Sequence, residues 1–256
     1  MTLAYEEAGS GRPVVLLHAF PLDHRMWAPQ VEALKDRYRV ITPDAVGFGG
    51  SMPGPATVDA QAHALCRLLD HLGIERFVLG GLSMGGYEAF AFLRVEPERV
   101  AGMVLADTRA GADTPEGRDG REASARLVER EGTEPVVEAL IPRLLGPTTR
   151  AGRPDLVEQV RAWGNQAAPA SVASALRGMA LRPDSTPMLG RIHFPTLILV
   201  GEEDEITGPP EAEAMAAAIP KSQLVRVPES GHLANLENPE IFNSSLASFL
   251  DRLGWD

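Results

Sequence analysis

The stretch FVLGGLSMGG, residues 77–86, decides how this chain folds. Residues 77–79 are all apolar, which is typical of a strand buried on both faces of a parallel sheet. A Gly-x-Ser-x-Gly pattern centred on Ser83 follows directly, and residues 84–93 favour a helix. The pattern predicts a sharp strand-to-helix turn that holds the serine hydroxyl at the end of the strand.

Strand and helix patterns alternate through most of the chain on either side of this turn. The predicted strands are Val14–Leu17, Arg39–Thr42, Phe77–Leu79, Val100–Ala106, Thr196–Val200 and Gln223–Val227. The predicted helices are Met26–Asp36, an amphipathic stripe from Val58 to Leu72, Met84–Leu93 and a last helix with Asn238 as its N-cap. This order predicts an α/β protein with a mostly parallel central sheet and helices on both faces.

The alternation stops between Ala106 and Thr196, where only helical patterns occur. They cover Arg121–Glu131, Val136–Leu145, Leu156–Trp163 and Ser171–Ala180. A helical insertion after one strand of a parallel sheet is a candidate cover for a site at the sheet edge. We expect residues 111–168 to form a helical lid (cap), and residues 1–110 and 169–256 to form the core domain.

Composition and charge exclude several classes of protein. The chain has 256 residues, 44% of them apolar and 23% charged, as in an ordinary globular protein. Its net charge of −11 argues against a nucleic-acid partner. No apolar run approaches the roughly 20 residues of a membrane span, and no signal peptide is visible, so we expect no membrane partner and a cytoplasmic location. Cys66 is the one cysteine, which excludes an intrachain disulfide. The patterns leave monomer and homo-oligomer open.

A serine hydroxyl needs a base, and the base needs an orienting acid, before it can act as a nucleophile. After a turn of this kind the acid and then the histidine follow the serine along the chain. His193 precedes a strand, whereas His232 follows one and therefore reaches the edge where Ser83 lies. The acid is expected after the strand Thr196–Val200, where four carboxylates crowd together (Glu202, Glu203, Asp204 and Glu205). Asp107, which follows an earlier strand, is an alternative.

Five short motifs, in order, resemble the α/β-hydrolase fold family over almost the whole chain. They are His18-Ala19-Phe20-Pro21 (family pattern His-Gly-x-Pro), the segment Asp44 to Ser51 (Asp-x-x-Gly-x-Gly-x-Ser), the Ser83 turn, Gly201 to Asp204 (Gly-x-x-Asp) and Ser230-Gly231-His232. Within the family the chain is most similar to 3-oxoadipate enol-lactonases, small carboxylesterases and cofactor-free perhydrolases of the haloperoxidase type. Ala19 replaces the usual glycine, and Val46 and Phe48 stand where Arg and His are common.

The resemblance implies a mechanism and assigns the residues. Ser83 is the nucleophile, His232 the base and Asp204 the acid, and the enzyme would cleave small carboxylic esters or lactones through an acyl-enzyme intermediate. The backbone N–H groups of Met84 and Phe20 are expected to bind the oxyanion. This chemistry requires no metal and no organic cofactor.

Two other functions stay open on the same residues. A perhydrolase would use the same triad to make peracids, and a ligand-sensing protein on this fold would turn over slowly or not at all. His24, Trp163 and Leu233 are candidate substrate contacts. A substrate with a free carboxylate would need an inward-facing cation, for which Arg109, Arg143, Arg161 and Arg177 are candidates. Because the patterning does not show which arginine faces inward, we expect small neutral esters and lactones ahead of charged ones.

Overall fold

The computed structural model describes residues 3–254 and contains one central sheet of seven strands within them. The strands are β1 (Tyr5–Ala8), β2 (Arg12–Leu17), β3 (Tyr38–Pro43), β4 (Phe77–Leu82), β5 (Val100–Ala106), β6 (Thr196–Gly201) and β7 (Ser222–Val227). Their order across the sheet is β1-β3-β2-β4-β5-β6-β7. All neighbouring pairs are parallel except β1 and β3, which are antiparallel. The prediction of a mostly parallel sheet is confirmed.

Eleven α-helices accompany these strands within residues 3–254. They are α1 (Ala28–Leu34), α2 (Val58–His71), α3 (Met84–Val95), α4 (Pro115–Glu131), α5 (Glu134–Leu144), α6 (Pro147–Gly152), α7 (Pro154–Gly164), α8 (Pro169–Ala180), α9 (Pro209–Ala218), α10 (Ala234–Glu237) and α11 (Pro239–Asp251). The predicted helix from Met26 is wrong at its start: a 3₁₀ turn, His24–Trp27, comes first, and α1 begins beside Pro29. Proline fits the first turn of a helix because it has no N–H to leave unpaired.

Successive residues of the strands pack into two different cores, one on each face of the sheet. Val14 and Leu16 of β2 join the core that contains Phe242 of α11. Val15 and Leu17 join the core that contains Leu65 of α2. This alternation follows from the period of two in a strand. It places helices on both faces, as the sequence predicts.

Between β5 and β6 the chain forms helices α4 to α8, a 3₁₀ turn at Thr186–Arg191 and, among these described residues, no strand. We call residues 107–195 the helical insertion. Helix α8 packs along α4, so the insertion has contacts of its own besides those to the sheet. None of the helices in residues 3–254 has the length and apolarity that crossing a membrane requires.

Candidate active site

Ser83 lies at the turn between β4 and α3 with φ 53° and ψ −111°, a backbone conformation that few non-glycine residues adopt. Two glycines permit the tight turn. A Cβ on Gly81 would collide with the carbonyl of Gly85, and a Cβ on Gly85 would collide with the carbonyl of Leu17 in β2. The turn therefore presses β4, α3 and β2 together and presents the Ser83 hydroxyl at the carboxyl edge of the sheet.

His232 follows β7 and reaches the same edge. Its Nε2 lies 2.8 Å from Ser83 Oγ, and its Nδ1 lies 2.9 Å from Asp204 Oδ2. Because the carboxylate accepts a hydrogen bond from Nδ1–H and so keeps the proton on Nδ1, Nε2 is left to accept a hydrogen bond from the serine hydroxyl. The serine, imidazole and carboxylate form one hydrogen-bonded chain, and all three residues are buried.

Asp204 is held from several sides in the loop after β6. Its Oδ1 accepts the N–H groups of Ile206 at 2.7 Å and Thr207 at 3.1 Å, and its Oδ2 also accepts the Thr207 hydroxyl at 3.1 Å. Burial by itself would raise the pKa of Asp204. The electrostatic interaction and hydrogen bond with His232, together with these two N–H groups, lower the pKa of Asp204 below its ordinary value. The carboxyl is therefore an anion at neutral pH.

Asp107, the alternative acid, does not bond to the histidine. It follows β5 with φ 42°, and it accepts the backbone N–H of Gly201 at 2.8 Å and that of Ala234 at 3.3 Å. Burial and the nearby charge of Asp204 raise the pKa of Asp107 well above its usual value. Its carboxyl joins the loop that carries Asp204 to the loop that carries His232.

The backbone N–H groups of Phe20 and Met84 are the candidate oxyanion donors. Both residues are buried, and neither N–H donates a hydrogen bond to any part of residues 3–254. Buried N–H groups without an acceptor are rare in folded proteins. The loop that carries Phe20 is fixed by His18, whose Nε2 accepts the N–H of Ala45 at 2.9 Å while Nδ1 lies 3.0 Å from Ala19 O. Burial lowers the pKa of His18, which keeps the ring neutral for that role.

A cavity of about 460 Å³ opens over Ser83 and His232. Much of its wall is apolar and comes from the insertion as well as the core: Phe20, Leu127, Val136, Leu140, Leu176 and Met179. Four charged side chains also line it: Arg109, Asp113, Arg121 and Arg143. A partly apolar concave site with a few polar groups is the usual form of a small-molecule site.

The four arginines named from the sequence fall into two groups. Arg109 and Arg143 line this cavity. Arg161 instead pairs with Glu138 and Glu158, and Arg177 pairs with Glu122 and Glu129. Arg121 and Asp113 also line the cavity and were not among the sequence candidates. Arg121 lies in α4, whose mostly polar sequence has no apolar stripe to mark which face turns inward, and Asp113 precedes this helix.

The three candidate substrate contacts do not line the Ser83 cavity. His24 and Trp163 line a second cavity of about 330 Å³, whose wall contains neither Ser83 nor His232. Leu233 is completely buried next to His232. Of the three, Leu233 lies nearest in sequence to His232, but it packs inside the protein.

His24 also belongs to the one cluster of possible metal ligands in residues 3–254, with Asp23 and Asp44. The atoms of these residues that could bind a metal already have hydrogen-bond or ion-pair partners. Asp44 accepts the His24 ring at 2.8 Å and the N–H groups of His24 and Gly50, and Asp23 forms a salt bridge with Arg25 at 2.6 Å. The hydrogen bond to Asp44 raises the pKa of His24. The cluster acts as a link between two loops.

The insertion is fastened to the two loops that carry Asp204 and His232. Glu203, next to Asp204, accepts hydrogen bonds from the N–H and the hydroxyl of Thr148. Glu237 accepts the N–H of Gly146 at 2.8 Å through one oxygen and that of Leu233 at 3.1 Å through the other. Gly146 is also so close to Gly231 that neither position has room for a Cβ. The middle of the insertion therefore packs directly on the loop that carries His232.

Known proteins match the chain over nearly its full length. The family model of the alpha/beta hydrolase fold matches residues 12–239. The chain is 30% identical to 3-oxoadipate enol-lactonase 2 of Acinetobacter baylyi over 89% of this chain and 84% of that protein. It superposes with a TM-score of 0.95 on a thermophilic esterase from Thermogutta terrifontis in a malate-bound structure, at 47% identity over 98% of this chain and 93% of the other.

The enol-lactonase from Burkholderia xenovorans LB400 is similar too, with a TM-score of 0.89 and 28% identity over 98% of this chain and 96% of that one. The relatives therefore include both lactonases and an esterase, in agreement with the resemblance inferred from the motifs. The family model covers most of the residues of the chain. The chain belongs to the α/β-hydrolase fold family and is a hydrolase.

Proposed function

We propose that the protein is a serine esterase or lactonase that cleaves small carboxylic esters through an acyl-enzyme. The observation that carries the proposal is the continuous hydrogen-bonded chain from Ser83 through His232 to Asp204, at 2.8 and 2.9 Å. These distances lie within the range that general-base activation of a serine requires. The esterase and lactonase relatives support the same reaction class.

In this mechanism His232 Nε2 takes the proton of Ser83 as Oγ attacks the ester carbonyl carbon. Asp204 stabilises the imidazolium that forms and holds the ring in place. The free N–H groups of Phe20 and Met84 bind the negative oxygen of the tetrahedral intermediate. His232 then protonates the leaving alcohol. A water molecule, deprotonated by the same imidazole, attacks the acyl-enzyme and releases the acid and Ser83.

The proposed lid is the helical segment 111–168. Leu127 and Leu140 from α4 and α5 line the cavity over Ser83, which supports a covering role. Leu176 and Met179 of α8 line it as well, and α8 packs along α4, so the lid that we propose continues through residue 180. A cover of this kind limits the size of the substrate and keeps bulk water from the acyl-enzyme.

The test is steady-state hydrolysis of 4-nitrophenyl acetate by the wild type and the Ser83→Ala and His232→Ala variants. We expect many turnovers per wild-type molecule and a loss of about 10⁴-fold in kcat for each variant, because the triad acts as a unit. Ser248→Ala, at an exposed position on α11, is the matched control and keeps the wild-type rate.

A folded Ser83→Ala protein with wild-type turnover would overturn the proposal. A single burst without turnover in the wild type would also overturn it, in favour of a ligand-sensing role. Labelling by a fluorophosphonate gives an independent readout. The added mass is expected on the peptide that contains Ser83 and is lost in Ser83→Ala.

A further inference from the structure

The cavity over Ser83 is positively charged inside a protein that is strongly negative. The chain has a net charge of −11, yet the charged residues that line the cavity are three arginines and one aspartate. A site whose sign opposes that of the surrounding surface attracts one kind of substrate and not the other. Because cations outnumber anions in the cavity over Ser83, we expect the cavity to favour a substrate with an anionic group.

Asp113 cannot neutralise this excess. It receives Arg109 Nη2 at 2.6 Å, Arg121 Nε at 2.5 Å and Arg182 Nη2 at 2.8 Å. Burial would raise the pKa of Asp113, but its hydrogen bonds from Arg182 and Arg121 hold the pKa well below the usual range. One carboxylate thus serves three guanidinium groups. The side chain of Arg182 is only 3% exposed, so solvent screens the positive charge of Arg182 only weakly.

Two of the arginines that line the cavity have N–H groups without an acceptor in the part of the chain that the structure describes. Arg143 has no hydrogen-bond or ion-pair partner in residues 3–254, in contrast to Arg161 and Arg177, which are each bound by two glutamates. The Nε of Arg109 is buried and has no acceptor. A buried guanidinium donor without an acceptor is unfavourable unless something completes its hydrogen bonds.

Resting on the proposed function, we propose that the substrate carries a carboxylate group in addition to the scissile ester, and that Arg143 and Arg109 bind this carboxylate. The planar guanidinium fork matches the geometry of a carboxylate. Asp113 holds Arg109 in place, and Arg143 reaches the cavity from the lid. This inference reverses the order expected from the sequence, in which neutral esters came first.

The experiment compares kcat/KM for pairs of esters that differ only in the charge. Mono-4-nitrophenyl adipate is paired with 4-nitrophenyl 6-methylheptanoate, in which an isopropyl group replaces the carboxylate of the acid half. The pair 4-acetoxybenzoate and 4-acetoxybenzamide tests the alcohol half. We expect the wild type to prefer the carboxylate by at least about tenfold in one pair. Arg143→Gln is expected to lower that ratio by at least about tenfold, and Arg161→Gln, on the same lid, to leave it unchanged.

A preference for the neutral ester in both pairs overturns the inference, and Ser83-dependent turnover of the neutral esters would at the same time leave the proposed function standing. Binding of adipate to Ser83→Ala, followed by calorimetry, tests the subsite without catalysis. It is expected to weaken at least tenfold when Arg143→Gln is added. Equal binding with and without Arg143, or tighter binding of inorganic phosphate than of adipate, overturns the carboxylate subsite.

Discussion

Asp107 accepts the backbone N–H of Gly201 at 2.8 Å, and Gly201 lies three residues before Asp204. The other oxygen of the same carboxyl accepts the N–H of Ala234, two residues after His232. The two aspartates at neighbouring strand ends therefore have different structural roles. Asp204 contacts the imidazole itself, and Asp107 fixes the two loops from which Asp204 and His232 project.

The two aspartates are expected to respond differently to the same substitution. Asp204→Asn removes the charge that stabilises the imidazolium and favours the wrong tautomer, so we expect a loss of roughly 10³- to 10⁴-fold in kcat. Asp107→Asn keeps one acceptor and loses one backbone hydrogen bond, a cost of about 1 kcal/mol in the free energy of unfolding. Its kcat should stay within about tenfold of the wild type. Hydrolysis of 4-nitrophenyl acetate measures both, and reversed phenotypes would move the acid to Asp107.

Glu88 is expected to make the folded protein less stable as the pH rises. It is buried in α3, and burial raises its pKa to about 8. The folded state therefore retains a proton that the unfolded state has released, and stability falls between about pH 4.5 and pH 8. Glu88→Gln should raise Tm by several degrees at pH 9 and have little effect at pH 4. Thermal unfolding of both proteins across this range tests the prediction. A Tm difference independent of pH would contradict it.

Asp113→Asn is expected to destabilise the protein strongly at neutral pH. It leaves Arg109, Arg121 and Arg182 without their shared anion, and removing one partner of a buried charge cluster costs about 3–5 kcal/mol. Because the pKa of Asp113 is lowered in the folded state, its contribution is complete above the ordinary carboxyl pKa and disappears as the pH falls below it. Urea unfolding at pH 7 measures the loss. Asp155→Asn, an exposed aspartate 3.7 Å from Arg153, is the control and should change stability by less than about 1 kcal/mol.

Gly81→Ala should prevent the turn at Ser83 from closing. The added Cβ would meet the backbone of Gly85 and Gly86, which cannot move away without shifting the start of α3. We expect a large drop in Tm or insoluble protein. Gly152→Ala, at a helical position with open space around it, should fold like the wild type. Equal thermal stability of the two variants would show that the turn is less tightly packed than the contacts indicate.

The elements that build the sheet interior were predictable because burial on both faces leaves a plain apolar run, as in Val14–Leu17. The edge strand β1 was not, since Glu6 and Glu7 are exposed there and no such run exists. Helix α9 is rich in alanine and has no stripe to mark it. Strand order and the position of a loop after a strand predicted that Ser83 and His232 meet at one edge, whereas the choice of Asp204 among the carboxylates after β6 came from the family resemblance.

The side chains of the insertion that line the cavity were harder to predict than Ser83 and His232 at the edge of the sheet. Which side chains of the insertion point inward depends on how each helix is rotated, and that rotation is set by packing. Arg143 and Arg161 both lie beside apolar stripes in the sequence, yet only Arg143 reaches the cavity. Asp113 stands out only in the structure, where three arginines contact it: Arg109 after β5, Arg121 of α4 and Arg182 after α8.

The contact of Gly146 with Gly231 has a consequence for protein engineering. A chimera that exchanges the insertion for that of a relative is normally designed at its two ends, where the chain enters and leaves the sheet. Here a third junction lies in the middle, because Glu237 holds the amides of Gly146 and Leu233 together, one peptide bond away from His232. A graft that joins well at both ends but has any side chain at position 146 would push on the loop that carries His232 and displace the imidazole. An insertion exchanged to alter the substrate range therefore needs a glycine at position 146.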